Sequence, residues 1–251
     1  MERGADMTRH IPMLFCPAMV EALLAGRKTE TRRILNPQPE TYQNDAGETC
    51  DIYPFKVEGQ TRPRIASGFG GSGVVTTQEC RADVGDLIWV KEAHYAFGWW
   101  ETSDELTKKT QKPKRVFVRD SAKPVLFEAP SDVVTGQPEQ RSGWYKRSSL
   151  FLPKLESRLT LPVISFSIEQ LHDISSRSCL AEGVQPVQEI LQSMSASPSE
   201  KHRRDEYHRA HVAAYRSLWN RINGPEAWDD NPWVDVTKFH VMHQNIQGVA
   251  A

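Results

Sequence analysis

Residues 27–33 place four cations, Arg27, Lys28, Arg32 and Arg33, around two hydroxyls, Thr29 and Thr31, with Glu30 the only acid. A single lysine or arginine in such a place is a solvated basic turn. Four in seven positions, interleaved with threonines, also suit an anion or nucleic-acid surface, and charge alone does not choose between the two. Three other groups of residues have side chains capable of chemistry. His208 and His211 can share a helix face and His240 and His243 lie near a late strand, but neither pair has a third ligand or a His-Glu-x-x-His frame, so no metal is assigned. The aromatic group Trp99, Trp100, Trp144 and Tyr145 can stack bases or pack a core, and core packing is the commoner use.

The elements that must position the basic stretch follow from local pattern. Pro17 suits a first helical turn, Val20, Leu23 and Leu24 share one face, and Gly26 supplies the left-handed residue past the end. From Thr29 the pattern is that of a strand, with Thr29, Thr31 and Arg33 on one face and Glu30, Arg32 and Ile34 on the other. For Lys28 and Thr31 to serve one site, the backbone has to turn at Lys28 or Thr29.

Elsewhere, Ile11 to Phe15 predicts a first strand after a loose tail over residues 1–10. From Asn36 to about Asp83 the chain is rich in Pro, Gly, Thr, Gln and Asn and is expected to be a flexible loop. Its run Gly68-Phe69-Gly70-Gly71-Ser72-Gly73 lacks the Lys-Ser/Thr and following helix of a phosphate cradle. Gly85-Asp86 predicts a turn into a strand, Leu87 to Lys91, buried on both faces. A charged segment, Glu101 to Lys114, precedes short strands at Arg115 to Val118 and Pro124 to Phe127, then a loop over Ser131 to Gly143. Ser157 to Leu171 is the longest strand candidate; its apolar phase slips at Val163/Ile164 and Pro162 lies beside the slip, which predicts a bulge. Asp173 and Ser175 can cap a short helix, Ser176 to Ala181, stopping near Gly183. Glu182 then sits at the helix end that disfavours acids and invites a cation partner. A Ser-rich connector spans residues 185–200. Glu200 to Asn223 is the clearest helix, with His211, Tyr215, Leu218 and Ile222 in phase and Gly224-Pro225 closing it. Trp233 to Met242 is a last strand and Gln244 to Ala251 a tail. This mixture, without regular strand and helix alternation, predicts an α+β protein with a small, mainly antiparallel sheet or barrel.

The 251 residues suffice for a real core, and a net charge of −1 means that any nucleic-acid binding has to come from a local patch. Cys16, Cys50, Cys80 and Cys179 are scattered without a CxxC, which gives neither a zinc site nor a disulfide framework. The start lacks an apolar signal core and no run approaches the ~20 residues that span a bilayer, so a reduced, cytoplasmic protein is expected.

The stretch Gly26-Arg27-Lys28-Thr29-Glu30-Thr31-Arg32-Arg33 resembles the GxKxxxxR-type signature of the ASCH domains, members of the PUA-like superfamily of small β-barrels. Further blocks occur in the order of a phage and prophage branch of that family. They are Gly85-Asp86-x-x-Trp89-Val90-Lys91-Glu92, Pro153-x-x-x-Ser157-Arg158, Leu171-x-Asp173-Ile174-Ser175 leading to Ala181-Glu182-Gly183-Val184, Leu218-Trp219-x-x-Ile222-Asn223-Gly224 and Asn231-Pro232-Trp233-Val234. The resemblance implies one ASCH domain over residues 1–251, with insertions at about 36–82, 101–143 and 185–205, in a bacterial or phage-infected cell. It implies that the opening helix and strand and the strands around Trp89, Leu159 and Val234 build one barrel.

PUA-like domains bind RNA or modified bases, and some small bacterial ASCH proteins are amidohydrolases that deacetylate N4-acetylcytidine. The Lys, Thr and Glu that work in those enzymes match Lys28, Thr31 and Glu182, with Arg27, Thr29, Arg32, Arg33 and Arg158 as substrate or nucleic-acid contacts. No cofactor, metal, membrane or obligatory protein partner is implied. On this resemblance a lysine with a depressed pKa takes the Thr31 proton, Thr31 attacks the acyl carbonyl, and Glu182 protonates the leaving amine or activates water. A route in which Thr31 only positions a water and Glu182 is the base suits the same residues. The alternatives are a non-catalytic RNA or nucleic-acid binding module and a ribonuclease using the same basic cleft. Lys154-Leu155 and Ala93-His94 depart from the Arg-Trp and Thr-Trp usual in the branch, which alters the expected cleft wall.

Overall fold

A computed structural model describes residues 8–56, 62–69, 72–185 and 199–249. In chain order the elements are β1 (His10–Leu14), α1 (Pro17–Leu24), β2 (Glu30–Ile34), β3 (Asp51–Phe55), β4 (Arg64–Phe69), β5 (Ser72–Glu79), β6 (Leu87–Lys91), β7 (His94–Leu106), β8 (Pro113–Arg119), β9 (Gly143–Arg147), β10 (Thr160–Gln170), α2 (Ser176–Ala181), α3 (Glu200–Asn223) and β11 (Trp233–Phe239). The protein is α+β.

β10 organises the main sheet. Its first residues pair with β6 and the rest with β11, and the register shifts between Val163 and Ser165, where the apolar phase of the sequence slips. Each half of the strand thus turns its apolar side to a different layer. The resulting sheet has the order β1-β6-β10-β11-β2, with β1 and β6 parallel and the remaining pairs antiparallel. On one side α1 covers Met13, Ile88, Val90, Leu161 and Phe239; on another, α2 and α3 cover Val234 and Val236 through Leu171, Ile174, Tyr215 and Trp219.

The closed barrel expected from sequence is absent among the described residues. The four strands assigned to it do lie in one sheet, joined by β1, but β1 and β2 remain its two edges. The chain between them is taken up by α1, and the gap is crossed by a side chain, Arg33 donating to the Leu14 carbonyl at 2.5 Å, in place of a backbone ladder.

Residues 36–83 are not the loop expected. They carry a three-stranded sheet, β3-β4-β5, whose Cys50, Ile52, Ile65 and Cys80 pack with Leu35, Phe166, Ile168 and Trp233. The strands are short and their pairing is non-local, so glycine and polar residues masked their period. Gly70 and Gly71, and residues 186–198 of the Ser-rich connector, lie outside the described residues. Beyond Trp100 the charged segment continues β7 to Leu106, paired with β8 as a ribbon whose far end is exposed on both faces. β9, unassigned from sequence, completes a third sheet, β8-β7-β9. Pro124–Phe127 is no strand; it touches β7 through one bridge, Tyr95 with Leu126. The expected tail packs too: Ile246 is buried against Leu87 and Trp89, and the Asn245 amide donates to the carbonyls of Lys154 and Ser157.

Two glycines set the approach of α1 to α2. Gly26 (φ +68°) lets the chain leave α1, and Gly183 (φ +89°) ends α2 where an added Cβ meets Ala22 Cβ at 2.6 Å and Lys28 Cβ at 3.2 Å. Gly183→Ala combines a left-handed conformation with overpacking and is expected to cost roughly 2–4 kcal/mol, read as a lowered urea midpoint with an unchanged m-value.

Candidate functional site

The strand that carries the basic stretch is interrupted at Thr29. Lys28 forms a single antiparallel bridge with Glu182, the Thr29 N–H donates to the Ala181 carbonyl (2.8 Å), and Phe239 N–H donates to the Thr29 carbonyl (3.0 Å) before regular pairing with β11 begins at Glu30. The start of β2 is therefore sewn to the end of α2, and Lys28 faces the residue that caps that helix. Ser175 caps the other end by accepting from the Ser178 N–H.

Lys28 is fully buried, and its ammonium has three acceptors: Glu182 Oε2 at 2.5 Å, the Glu30 carbonyl at 2.8 Å and the Glu182 carbonyl at 3.2 Å. All three protons are thereby used. Glu182, 1 % exposed, also receives Arg32 Nη1 at 3.3 Å and the Tyr215 hydroxyl at 3.2 Å on Oε1. Arg32 reaches Glu30 at 2.6 Å and Glu169 at 2.8 Å as well. Two cations thus meet three carboxylates, so this part of the basic stretch presents no surplus positive charge.

Burial lowers the Lys28 pKa from the ordinary lysine value, against the pull of Glu182 toward the charged form. The Tyr215 hydroxyl is pushed well above its usual value by burial and by Glu182, so it stays a proton donor. Burial opposes the charge of Arg32, but Glu182, Glu169 and Glu30 outweigh it and raise its pKa. Two cavities adjoin the cluster. One of about 270 Å³ is lined by Arg32, Arg33, Tyr215, Trp219 and Cys16; the other, of about 370 Å³, by Glu182, Gly183, Ala22 and Met19, and Met19 lines both.

Thr31 belongs to the opposite face of β2. It stands across from Thr237 as Arg33 stands across from Asp235. Thr31, Thr237 and Asp235 are fully buried, and Thr31 Oγ, Thr237 Oγ, both Asp235 oxygens and Arg33 Nε lack hydrogen-bond partners, although Arg81 Nε lies 3.3 Å from Asp235 Oδ2. No hydrogen bond joins Thr31 to Lys28. Arg33 sits over the Phe15 ring at 5.3 Å, and burial, then Arg81, lowers its pKa. Burial raises the Asp235 pKa to about 6 although Arg81 and Arg33 favour its charge.

The remaining candidates are more exposed. Arg27 is on the surface and donates to the Gly183 carbonyl (3.0 Å), and the Thr29 side chain is exposed beside it. Arg158 is held by Glu92 through two hydrogen bonds of 3.0 and 2.9 Å, at the opposite end of β10 from Glu169. The structure therefore brings together Lys28, Arg32 and Glu182, and it separates Thr31 and Arg158 from them. His208 Nδ1 meets Ser176 Oγ and His211 Nδ1 meets the Tyr207 carbonyl.

Three members of the site were not singled out from sequence. Tyr215 was visible only as an apolar position of α3. Glu169 and Asp235 are carboxylates inside apolar stretches, Phe166 to Leu171 and Val234 to Val236, and that interruption was the available signal. No protein-family model, curated protein or solved structure matches this chain.

Two stability measurements follow. Lys28→Met leaves the Glu182 carboxylate buried without its ammonium and is expected to cost about 3–5 kcal/mol. Lys28→Met with Glu182→Gln together should cost less than the first change alone, a coupling that urea denaturation of both variants reads directly. For Asp235 the folded pKa of about 6 exceeds the ordinary 3.8. The folded chain therefore holds the extra proton between these values, and stability from this group is lost as the pH rises through 6. Asp235→Asn should accordingly stabilise the protein at pH 7 to 8 by up to about 3 kcal/mol, with the gain vanishing toward pH 4; melting curves across that range check it.

Proposed function

We infer that this protein is an ASCH-type amidohydrolase that removes an acyl group from the exocyclic amine of a modified cytidine. The observation that carries the inference is the Lys28–Glu182 pair: an ammonium whose pKa burial depresses, 2.5 Å from a carboxylate that also lines a cavity of about 370 Å³. Such a pair is a carboxylate base, held by its ammonium partner, beside a space for substrate. The family part of the inference, the phage and prophage branch of the ASCH domains, draws support from the strands around Glu30, Trp89, Leu161 and Val234 lying in one five-stranded open sheet.

The chemistry proceeds with water as the nucleophile. Glu182 takes a proton from a water as its oxygen adds to the acyl carbonyl of a substrate in the cavity that Glu182 lines. As the carbon–nitrogen bond breaks, Glu182 passes that proton to the departing exocyclic nitrogen, while the Lys28 ammonium, its three protons still bound, holds the carboxylate in place. Glu182 is thereby restored as a carboxylate, leaving cytidine and a carboxylic acid. The water route is favoured over attack by Thr31 because Thr31 lies on the other face of β2 and makes no hydrogen bond to Lys28. The burial of Lys28, with its protons already bound, speaks against a role in gripping phosphate, which both the binding-module and ribonuclease alternatives require of it.

The test is release of cytidine from N4-acetylcytidine by purified protein, followed by chromatography. Glu182→Gln, checked for folding by its melting curve, should lower kcat/KM by about 10²-fold or more, while Thr31→Val should keep most of the activity. Failure of the folded wild-type protein to release cytidine ends this reading; collapse of Thr31→Val alongside Glu182→Gln restores Thr31 as the nucleophile.

A further inference from the structure

The third sheet, β8-β7-β9, carries a groove of about 880 Å³ remote in sequence from the basic stretch. Four cations line it, Lys114, Arg115, Lys146 and Arg147, and no Asp or Glu does. In a chain of net charge −1 that is a marked local imbalance. Lys114 shares an exposed contact with Glu105 at 3.3 Å, whereas Arg115 and Lys146 make no ion pair among the described residues. The groove's wall is aromatic. Arg147 lies 5.0 Å from the Trp100 ring centroid and 4.6 Å from that of Phe151, which is 56 % exposed. Trp100 Nε1 is buried without a hydrogen-bond acceptor, so the wall holds an unanswered donor.

Cations of which Arg115 and Lys146 make no ion pair among the described residues, together with flat rings, are what a strand of nucleotides needs: the cations meet phosphates and the rings meet bases. The groove is also oriented. The turn Ser149–Phe151 forms its end through Phe151, and the other side of that turn, at Ser149, lines the cavity that Arg32 and Arg33 share with Tyr215. Lys91 fastens the turn to β6 by donating to the Leu150 carbonyl at 2.5 Å. A strand in the groove would therefore run toward the cavity lined by Arg32 and Tyr215, both of which bond Glu182.

We propose that this groove binds single-stranded nucleic acid and that the substrate is a modified cytidine within a strand. The second half rests on the amidohydrolase reading; the binding itself does not.

The experiment is fluorescence anisotropy of the full chain with a labelled 12-nucleotide uridine RNA, and with thymidine DNA of the same length, from 50 to 200 mM salt. Four phosphate contacts give a slope near −2.8 in log K against log salt, so binding should weaken about 50-fold over that range. Arg115→Gln with Lys146→Gln, both exposed changes, should lower the magnitude of the slope by about 1.4. Trp100→Phe should weaken binding while leaving the slope unchanged. Preference for the RNA, or equal binding of RNA and DNA, supports the groove and identifies the strand it takes. Absence of binding at 50 mM salt, an unaltered slope in the double variant, or inorganic polyphosphate of equal charge competing as well as the oligonucleotide, overturns it. Because anisotropy requires no turnover, loss of cytidine release with retained binding would remove the amidohydrolase reading and leave the groove.

Discussion

Withdrawing an ammonium and a carboxylate from water together is the constraint that most of this structure answers to. An isolated buried charge costs several kcal/mol, and a pair offsets that cost only when the other protons and lone pairs are also satisfied. The Lys28–Glu182 pair meets that condition by drawing on three elements: β2 supplies the Glu30 carbonyl and Arg32, the end of α2 the Glu182 carbonyl, and α3 the Tyr215 hydroxyl. Glu169 of β10 then balances Arg32. Each partner is a packing instruction, since the helices must lie where their polar atoms reach the pair while Val234, Val236 and Trp219 close the apolar shell around it.

The bulge in β10 makes this possible. A strand whose apolar residues switch faces at Val163 can belong to two layers, with its start buried beneath α1 and its end between the α2–α3 layer and the β3–β5 sheet. The same division separates two kinds of polar chemistry across β2. One face holds charges that are mutually neutralised. The other holds Thr31, Thr237, Asp235 and Arg33 with unpaired atoms. Arg33 reaches out of that second group, to the Leu14 carbonyl across the open edge of the sheet, and Arg81 reaches in to Asp235.

A stretch that looks strongly basic in one dimension is thus divided in three ways. Lys28 and Arg32 are consumed by carboxylates, Arg33 by the sheet edge, and Arg27 remains at the surface. A further group of cations lines the groove of the β7–β9 sheet, where the arginines and lysines come from segments of unremarkable sequence. Buried ion pairs and exposed cations, which the sequence joined in one motif, are separate in the fold.

What the sequence by itself determined is what depends on neighbours within a few residues. The helices Pro17–Leu24, Ser176–Ala181 and Glu200–Asn223, the left-handed Gly26, the helix stop at Gly183 and the bulge at Val163 all follow from local pattern and stand in the structure. So does the demand of Glu182, at a helix C-terminus, for a cation. The β3–β5 sheet, β9 and the packing of Ile246 were not legible, because short strands take their stability from partners far along the chain. Tertiary structure alone decided which cation Glu182 would take, that Thr31 would face away from it, and that Tyr215, Glu169 and Asp235 would join the site. Those outcomes depend on strand order and on the desolvation of each group, and neither is a property of residues adjacent in sequence.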